Sequence, residues 1–530
     1  MTSKNRQDAR VKNRKSPDLG RIGDLLAPLT DVELFFGLVG PTGANLDLVC
    51  REMATQLSLH GYEMEIISLS KLISGYFDQP DRAETESEYE RIDRLMTLGT
   101  RLRTETQSPS IVAALSIAAI RDRRQSVSGD PNKPRKKAAY VLRSLKRAEE
   151  VELFRSIYGK AFNLISAYSA VSERVDVLAR KIASSEKVSA DYAKPRALQL
   201  INRDADEEGM VFGQKVRDTF PLADYFVTVS DAAILQTQIE RLIRLAFGYP
   251  HVTPTKDEHA MFIAQATAYR SADLSRQVGA SIVTNAGEIL STGCNDVPKA
   301  GGGLYWVDDA SPKRDVELGH DSNTRIKREI VEELISRLRD GRWLKSGLAK
   351  KSNKELYEDS ISRQKGVLKG TQVLDVIEFG RAVHAEMDAI TQAARLGIKM
   401  QGARLFCTTF PCHLCARHIV ASGIVEVVYI EPYPKSRTEE LYPDSIDVQG
   451  ESTSLVRGHD HVQMTGRVLF RPFVGVSPRR YMDFFEMIPD SRKDSRGDAV
   501  QPKPSEKNPR VKRFVLSYLD METSILSRLS

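Results

Sequence analysis

Apolar residues run almost unbroken from Val32 to Val39 and then stop at Gly40-Pro41-Thr42-Gly43. They resume at helical spacing from Leu46 to Leu59. A continuous run of this length bounded by turn residues predicts a buried strand, and the spacing after it predicts a helix. Glu65 to Leu69 reads as a second strand. Strand, glycine turn, helix and strand open an α/β domain whose parallel sheet is covered by helices. From Tyr89 to Ala183 the pattern is mainly helical, with Leu95, Leu98 and Leu102, then Ile111, Leu115 and Ala118, at turn spacing. Two strands are predicted at 161–168 and 225–229, and a helix from Ala232 to Phe247 closes the unit. Gly248 and Pro250 end that helix and mark a boundary.

The second half opens with a helix from Lys256 to Tyr269 and a hairpin, Gly279 to Val283 and Ile289 to Gly293, around Asn285-Ala286-Gly287. An insertion at about 300–380 carries a charged helix, Arg325 to Arg339. Helix His384 to Leu396, strand Ala403 to Thr408, helix Cys412 to Ser422 and strand Val425 to Ile430 then predict a second helix-covered sheet. The expected organisation is a basic mobile arm at 1–30, a first domain at 31–248 and a second at 253–488. A linker with an amphipathic helix, Phe514 to Leu529, occupies 489–530.

A chain of 530 residues exceeds what one core usually supports, in keeping with two domains. No apolar run approaches the ~20 residues that span a bilayer, and the N-terminus lacks the apolar core of a secretory signal. A cytoplasmic protein with no membrane partner is expected. The net charge of +6 sits mostly in residues 1 to 16, where six Lys or Arg meet one Asp. A second basic stretch, Arg121 to Arg147, holds ten Lys or Arg against Asp122 and Asp130, and reads either as a solvated loop or as a contact for phosphate or RNA.

Five cysteines, of which only Cys407, Cys412 and Cys415 lie close together, do not describe a disulfide framework. Metal ligation fits them better. His384-Ala385-Glu386 starts one predicted helix and Pro411-Cys412-His413-Leu414-Cys415 starts another, with a strand between. Two thiolates one turn apart and an imidazole from the neighbouring helix make a three-ligand Zn2+ set with one position left for water, which is the catalytic rather than the structural pattern. Glu386, two residues after His384, is placed to act as the proton carrier beside that site. A lone Cys-x-x-Cys reads equally as a structural zinc knuckle or redox pair, and a lone His-x-Glu as a helix face. The ordered combination points to deamination of cytosine. His413 is expected to face away from the ion, Cys407 and Cys294 to be core, and Cys50 to have no partner.

Ser275-Arg276-Gln277-Val278-Gly279-Ala280, Gly293-Cys294-Asn295-Asp296-Val297-Pro298 and the two metal motifs together resemble the deoxycytidylate deaminase branch of the cytidine deaminase superfamily, over about Lys256 to Ile430. The resemblance implies that Asn295 holds the sugar and that Arg276 and Lys299 meet the phosphates. The family usually has Gly-Tyr-Asn where this chain has Gly293-Cys294-Asn295. The whole chain, including the segment 213–224 and Pro478-Arg479-Arg480-Tyr481, is similar to the bacterial anti-phage dCTP deaminases. That likeness implies an α/β protein with an N-terminal P-loop NTPase-like parallel-sheet domain and a C-terminal cytidine deaminase-like α/β/α domain. It also implies dCTP and dCMP as substrates, dCTP depletion as the biological effect, a regulatory nucleotide or an inhibitory small RNA as a further partner, and a homo-oligomer.

Gly40, Pro41, Thr42, Gly43, Ala44 and Asn45 occupy the place of a phosphate-binding loop, where backbone N–H groups cradle an anion. The Lys-Ser/Thr pair of an active ATPase is absent, because Ala44 and Asn45 follow Gly43, so nucleotide binding without efficient hydrolysis is expected, with an empty scaffold as the alternative. The rival readings of the chain are a housekeeping dCMP deaminase, a nucleic-acid base editor, and a non-enzymatic RNA-binding protein with structural zinc.

Overall fold

β1 (Leu34–Val39) is buried along its whole length, which accounts for its unbroken apolar run. This computed structural model describes residues 31–530 other than 363–365, 434–435, 450–465, 488–491, 494, 511–518, 520, 521, 524, 525 and 528–530. The basic arm at 1–30 and most of the helix expected at 514–529 lie outside the described residues.

Following β1 are α1 (Leu46–Leu59), β2 (Glu63–Ser68), α2 (Leu69–Tyr76), α3 (Glu88–Glu105) and α4 (Ile111–Ser128). Asn45 caps α1 by accepting from the Leu48 N–H at 3.2 Å, and Ser87 and Glu90 form a reciprocal capping box on α3. β3 (Ala138–Arg143), α5 (Ala148–Tyr158), β4 (Phe162–Tyr168), α6 (Val171–Glu186), α7 (Ala190–Ala205), β5 (Tyr225–Thr228) and α8 (Ala232–Ala246) complete the first unit. Its strands pair in parallel in the order β5-β4-β1-β3-β2. The charged flanks of β3 hide it in the sequence, where the region reads as helix and basic loop.

Most of the arginines in the basic stretch around β3 form pairs within the chain. Arg124 is fully buried between Glu33 at 2.7 Å and Glu522 at 2.6 Å, and the Tyr158 hydroxyl donates to Glu522 at 2.7 Å. Arg135 meets Glu63 and Glu65, Arg143 meets Asp47, and Arg147 meets Glu149. The loop itself, with Lys133 and Lys136, is exposed as the solvated-loop reading expects, while these arginines are engaged with acidic residues of the same chain.

α9 (Lys256–Ala268), β6 (Gly279–Val283) and β7 (Ile289–Cys294) open the second unit as expected, and the insertion contains α10 (Ser322–Asp340) and α11 (Asn353–Ile361). Then come α12 (Ala385–Arg395), β8 (Arg404–Thr409), α13 (His413–Ala421), β9 (Glu426–Glu431), β10 (Ile446–Val448), β11 (Val468–Pro472) and β12 (Gly475–Val476). The second sheet has the order β10-β11-β9-β8-β6-β7, antiparallel at β7-β6-β8 and parallel beyond. An ionic network braces it: Asp257 is 2.9 Å from Arg404 and 2.6 Å from Arg471, which also holds the buried Glu426 at 2.7 Å.

The chain does not keep the two units apart. β12 returns to the first sheet and pairs antiparallel with β5. Phe226, Met261, Phe406, Val428 and Phe473, drawn from both sheets and α9, form one buried cluster. Arg480, in the Pro478–Tyr481 segment, reaches Phe162 and Asn163 of β4, while Tyr481 stacks on Phe262 with ring centroids 4.1 Å apart.

Candidate active site

The two helices that carry the metal motifs start at those motifs. His384 is the N-cap of α12 and Cys412 the N-cap of α13, both with extended backbone, while Cys415 sits one turn into α13. α12 is seated on β7 by backbone-close packing. A Cβ at Gly293 would lie 2.3 Å from the Ala385 carbonyl oxygen and 2.4 Å from the Ala389 nitrogen, so only glycine allows this approach. The Ser291 hydroxyl donates to the Ala389 carbonyl at 2.7 Å, and the Cys294 N–H donates to Asp388 at 3.2 Å.

These supports bring three ligand atoms together. His384 Nδ1 lies 3.1 Å from Cys412 Sγ and 3.3 Å from Cys415 Sγ, and the sulfurs are 3.7 Å apart. Two thiolates on one tetrahedral zinc, with Zn–S bonds of about 2.3 Å, stand about 3.8 Å apart, so the donor set fits that ion. Among the described residues this is the cluster of His, Cys, Asp and Glu close enough to hold a metal. The hydrogen bond from Cys415 lowers the Cys412 thiol against the opposing effect of burial, with His384 adding to the lowering, while burial raises the Cys415 thiol. A thiolate is the metal-binding form.

Glu386 is buried in the first turn of α12, beside Cys415 and Cys407. Burial raises its carboxyl above the ordinary range, and the negative Cys412 adds to the rise. A carboxyl so placed holds a proton more readily than an exposed one, as a proton carrier near neutral pH must. Cys407 and Cys294 are core, as expected, and Cys50 is buried as well.

The other residues singled out for substrate are placed as follows. Asn295 uses its side chain to brace the loop before β6: its oxygen accepts from the Val278 N–H at 2.7 Å and its nitrogen donates to the Arg276 carbonyl at 2.8 Å. Arg276 is half-exposed, 3.6 Å from Glu431, with its guanidinium 5.3 Å from the centre of the Tyr433 ring. The Lys299 ammonium donates to both oxygens of Asp309, at 2.8 and 2.9 Å. In the first domain, the Thr42 N–H donates to Asp204 at 2.7 Å. His413 turns toward the insertion, with Nε2 3.9 Å from Glu378. Nothing in the local spacing marks Glu378, because the insertion returns to the site only through the fold. The pairing of Asp296 with Val383 shows where it rejoins.

Residues 254–431 match the model of the cytidine and deoxycytidylate deaminase zinc-binding region. The deoxycytidylate deaminase of Enterobacteria phage T4 is 31% identical over 183 residues, covering 33% of this chain and 77% of that protein. The chain belongs to the deoxycytidylate deaminase family. It is also similar to ComE operon protein 2 of Bacillus subtilis (strain 168), at 42% identity over 53 residues, 10% of this chain and 28% of that protein. It therefore spans little more than a quarter of that relative's length. The dCMP deaminase of cyanophage S-TIM5, solved in complex with dCMP and dUMP, aligns over 42% of this chain and 99% of its own at 19% identity, with a TM-score of 0.20. Zinc is the cofactor of this deaminase domain, and His384, Cys412 and Cys415 form a site for it. No helix among the described residues is long and apolar enough to cross a membrane.

Proposed function

We propose that this protein hydrolyses the amino group of deoxycytidine nucleotides, converting dCMP to dUMP with release of ammonia. The observation that carries this reading is the buried Glu386 carboxyl set against a three-donor cluster of His384, Cys412 and Cys415. A closed structural zinc site has four protein ligands and no use for a buried acid beside them. When bound, zinc supplies Lewis acidity that lowers the pKa of a water in its open position toward about 7. His384 and Cys412, fixed as N-caps, hold the donors in place. Glu386 takes a proton from the attacking water and delivers it to N3 of cytosine as C4 is attacked, then takes the water's second proton from the new C4 hydroxyl and passes it to the departing amine as the carbonyl forms. The bond formed is C4–O, the bond broken is C4–N, and one water is consumed for each ammonia released.

The same reading extends to dCTP as a substrate, with dCTP depletion in anti-phage defence as the biological effect. Support for the extension is the overall likeness to the anti-phage dCTP deaminases and the presence of a large first domain that the deaminase match leaves uncovered. Arg276 is the cation for the nucleotide's phosphate in this scheme, since it is half-exposed while Lys299 is held by Asp309. The test is ammonia release from dCMP, dCTP, CTP and single-stranded oligonucleotides by the zinc-loaded protein. Turnover of oligonucleotide alone, or of none of the four, would overturn the proposal, and turnover of dCMP without dCTP would confine it to the monophosphate.

A further inference from the structure

Pro411 comes immediately before the ligand Cys412, and its carbonyl is held by a segment that follows β9. The Ser436 hydroxyl donates to the Pro411 carbonyl oxygen at 2.9 Å, and the Thr438 hydroxyl approaches the same oxygen at 3.3 Å. The two hydroxyl oxygens are 2.7 Å apart. Each hydroxyl has one proton to give, so one of them holds the carbonyl while the other backs it. Thr438 is fully buried and opens a single helical turn, Thr438–Leu441. The carbonyl oxygen of Pro411 and the nitrogen and Cα of Cys412 belong to one planar peptide unit, so holding that oxygen orients the unit that carries the Cys412 Cα. On the other side, the Cys412 carbonyl accepts from the Cys415 and Ala416 N–H groups, both at 3.0 Å. Cys412 is thus gripped twice. The second grip belongs to α13 itself, and the first comes from residues 25 and 27 positions beyond Pro411.

The segment that supplies the first grip runs back to the first domain. The Tyr442 N–H donates to the Thr438 carbonyl at 3.1 Å and the Ile446 N–H to the Tyr442 carbonyl at 2.9 Å, so the helical turn and the start of β10 form one continuous support. β10 lies on β11, and just past its end the Gln449 N–H donates to the Phe470 carbonyl at 2.7 Å. The Gln449 carbonyl in turn accepts from the Tyr168 hydroxyl at 2.7 Å. Tyr168 is the last residue of β4, in the sheet of the first domain. The residue before Pro411 is tied down as well. The Phe410 N–H donates to the Glu431 carbonyl at 2.7 Å, and its ring meets Tyr429 edge-on with centroids 4.8 Å apart.

We infer that Ser436 and Thr438 are positioning residues of the zinc site, holding Cys412 through the Pro411 carbonyl, and that Tyr168 anchors their segment to the first domain. Support of this ligand is then shared between the two domains: the thiol belongs to the deaminase domain, and the far end of its brace to the first sheet. Groups behind a metal ligand commonly set metal affinity by ~10–100-fold, because they fix the direction in which the ligand atom points. The inference rests on the zinc site and not on the substrate, so zinc binding tests it apart from deamination.

Zinc affinity of the full chain, measured by competition with a chromophoric chelator, tests it together with the visible absorption of the cobalt-substituted protein. Ser436→Ala combined with Thr438→Val removes both hydroxyls and leaves the three donors in place. Zinc affinity is expected to fall by ~10–100-fold in that double variant, with a displaced cobalt band. Thr438→Ser keeps both hydroxyls and is expected to bind zinc as the wild type does. Tyr168→Phe is expected to weaken zinc binding by about two- to ten-fold, the worth of one hydrogen bond. Wild-type affinity and cobalt spectrum in the double variant overturn the proposal, and so does a loss in Thr438→Ser as large as in the double variant, which would make packing the cause. Unchanged affinity in Tyr168→Phe removes the first domain from the brace. Ser436 is only partly buried. Ser436→Ala alone therefore decides the matter if the double variant does not fold: a loss of about three-fold or more is expected from its hydrogen bond, and wild-type affinity overturns the proposal.

Discussion

The Val476 N–H donates to Glu258 Oε1 at 2.9 Å, joining the last strand of the first sheet to the first helix of the deaminase domain. Glu258 also takes Arg241 of α8 at 2.6 Å, and it is 1% exposed. A boundary near Gly248 therefore cuts through a shared core. A truncated chain beginning at Thr253 removes β5, exposes Phe473, Phe406 and Val428, and leaves Glu258 without Arg241. It is expected to aggregate or to lose its melting transition, whereas the full chain stays folded. A monomeric, active truncated chain would show that the interface is dispensable.

Glu386→Gln is expected to keep its zinc and to lose deamination by roughly 10²–10⁴-fold, the span of general acid–base catalysis. The amide fills the same buried volume but carries no proton between water and base. Metal analysis and ammonia release on the same preparation check it; full turnover would remove Glu386 from the reaction, and lost zinc would make it structural.

Cys412→Ala and Cys415→Ala are each expected to lose zinc and activity together, since either leaves two protein donors. The readout is the metal-to-protein ratio after gel filtration. Full occupancy in either variant would mean that the donor set is wrong.

Gly293→Ala is expected to destabilise the protein by about 1–3 kcal/mol or more, the range for overpacking, because its Cβ has backbone rather than a yielding side chain in front of it. The displacement falls on α12, so zinc affinity drops with the melting temperature. An unchanged melting temperature would contradict the close approach of β7.

Asp257 gives a prediction in pH. Burial works to raise its carboxyl, but Arg471 and Arg404 outweigh it and hold it below the ordinary range. A depressed folded value contributes stability that is present above the unfolded pKa of about 3.9 and is lost as pH falls through the folded value. Asp257→Asn is expected to cost about 1.5–3 kcal/mol at neutral pH, with the difference from wild type shrinking below about pH 4. Denaturation curves of both proteins across that range check it, and a difference independent of pH would remove Asp257 as the cause.

What was legible in the sequence depended on how local the signal is. His384, Glu386, Cys412 and Cys415 announce themselves because the chemistry needs them at fixed spacing on two helix starts, and β1, β8 and β9 because buried parallel strands leave apolar runs. β3 was hidden, since Ala138–Arg143 is short and flanked by charges that pair with residues tens to hundreds of positions away, such as Glu33 and Glu522. The contact of Thr42 with Asp204 was equally invisible, because it depends on how the α6–α7 hairpin folds back over the loop. Asn295, singled out for the sugar, has both ends of its amide engaged in holding the loop at Val278 and Arg276, a role that only the folded backbone reveals.

The placement of Glu522 bears on when the protein becomes whole. Arg124 and Glu522 are 398 residues apart in sequence, yet they form a fully buried pair within the first domain. At roughly 5–20 residues per second of synthesis, Arg124 waits about 20–80 s for that partner to leave the ribosome. During this interval the domain made first lacks Glu522 beside its buried Arg124 and lacks β12 at its sheet edge. The first domain to be translated is thus the last to be finished, and the deaminase half is complete in sequence before its neighbour is sealed.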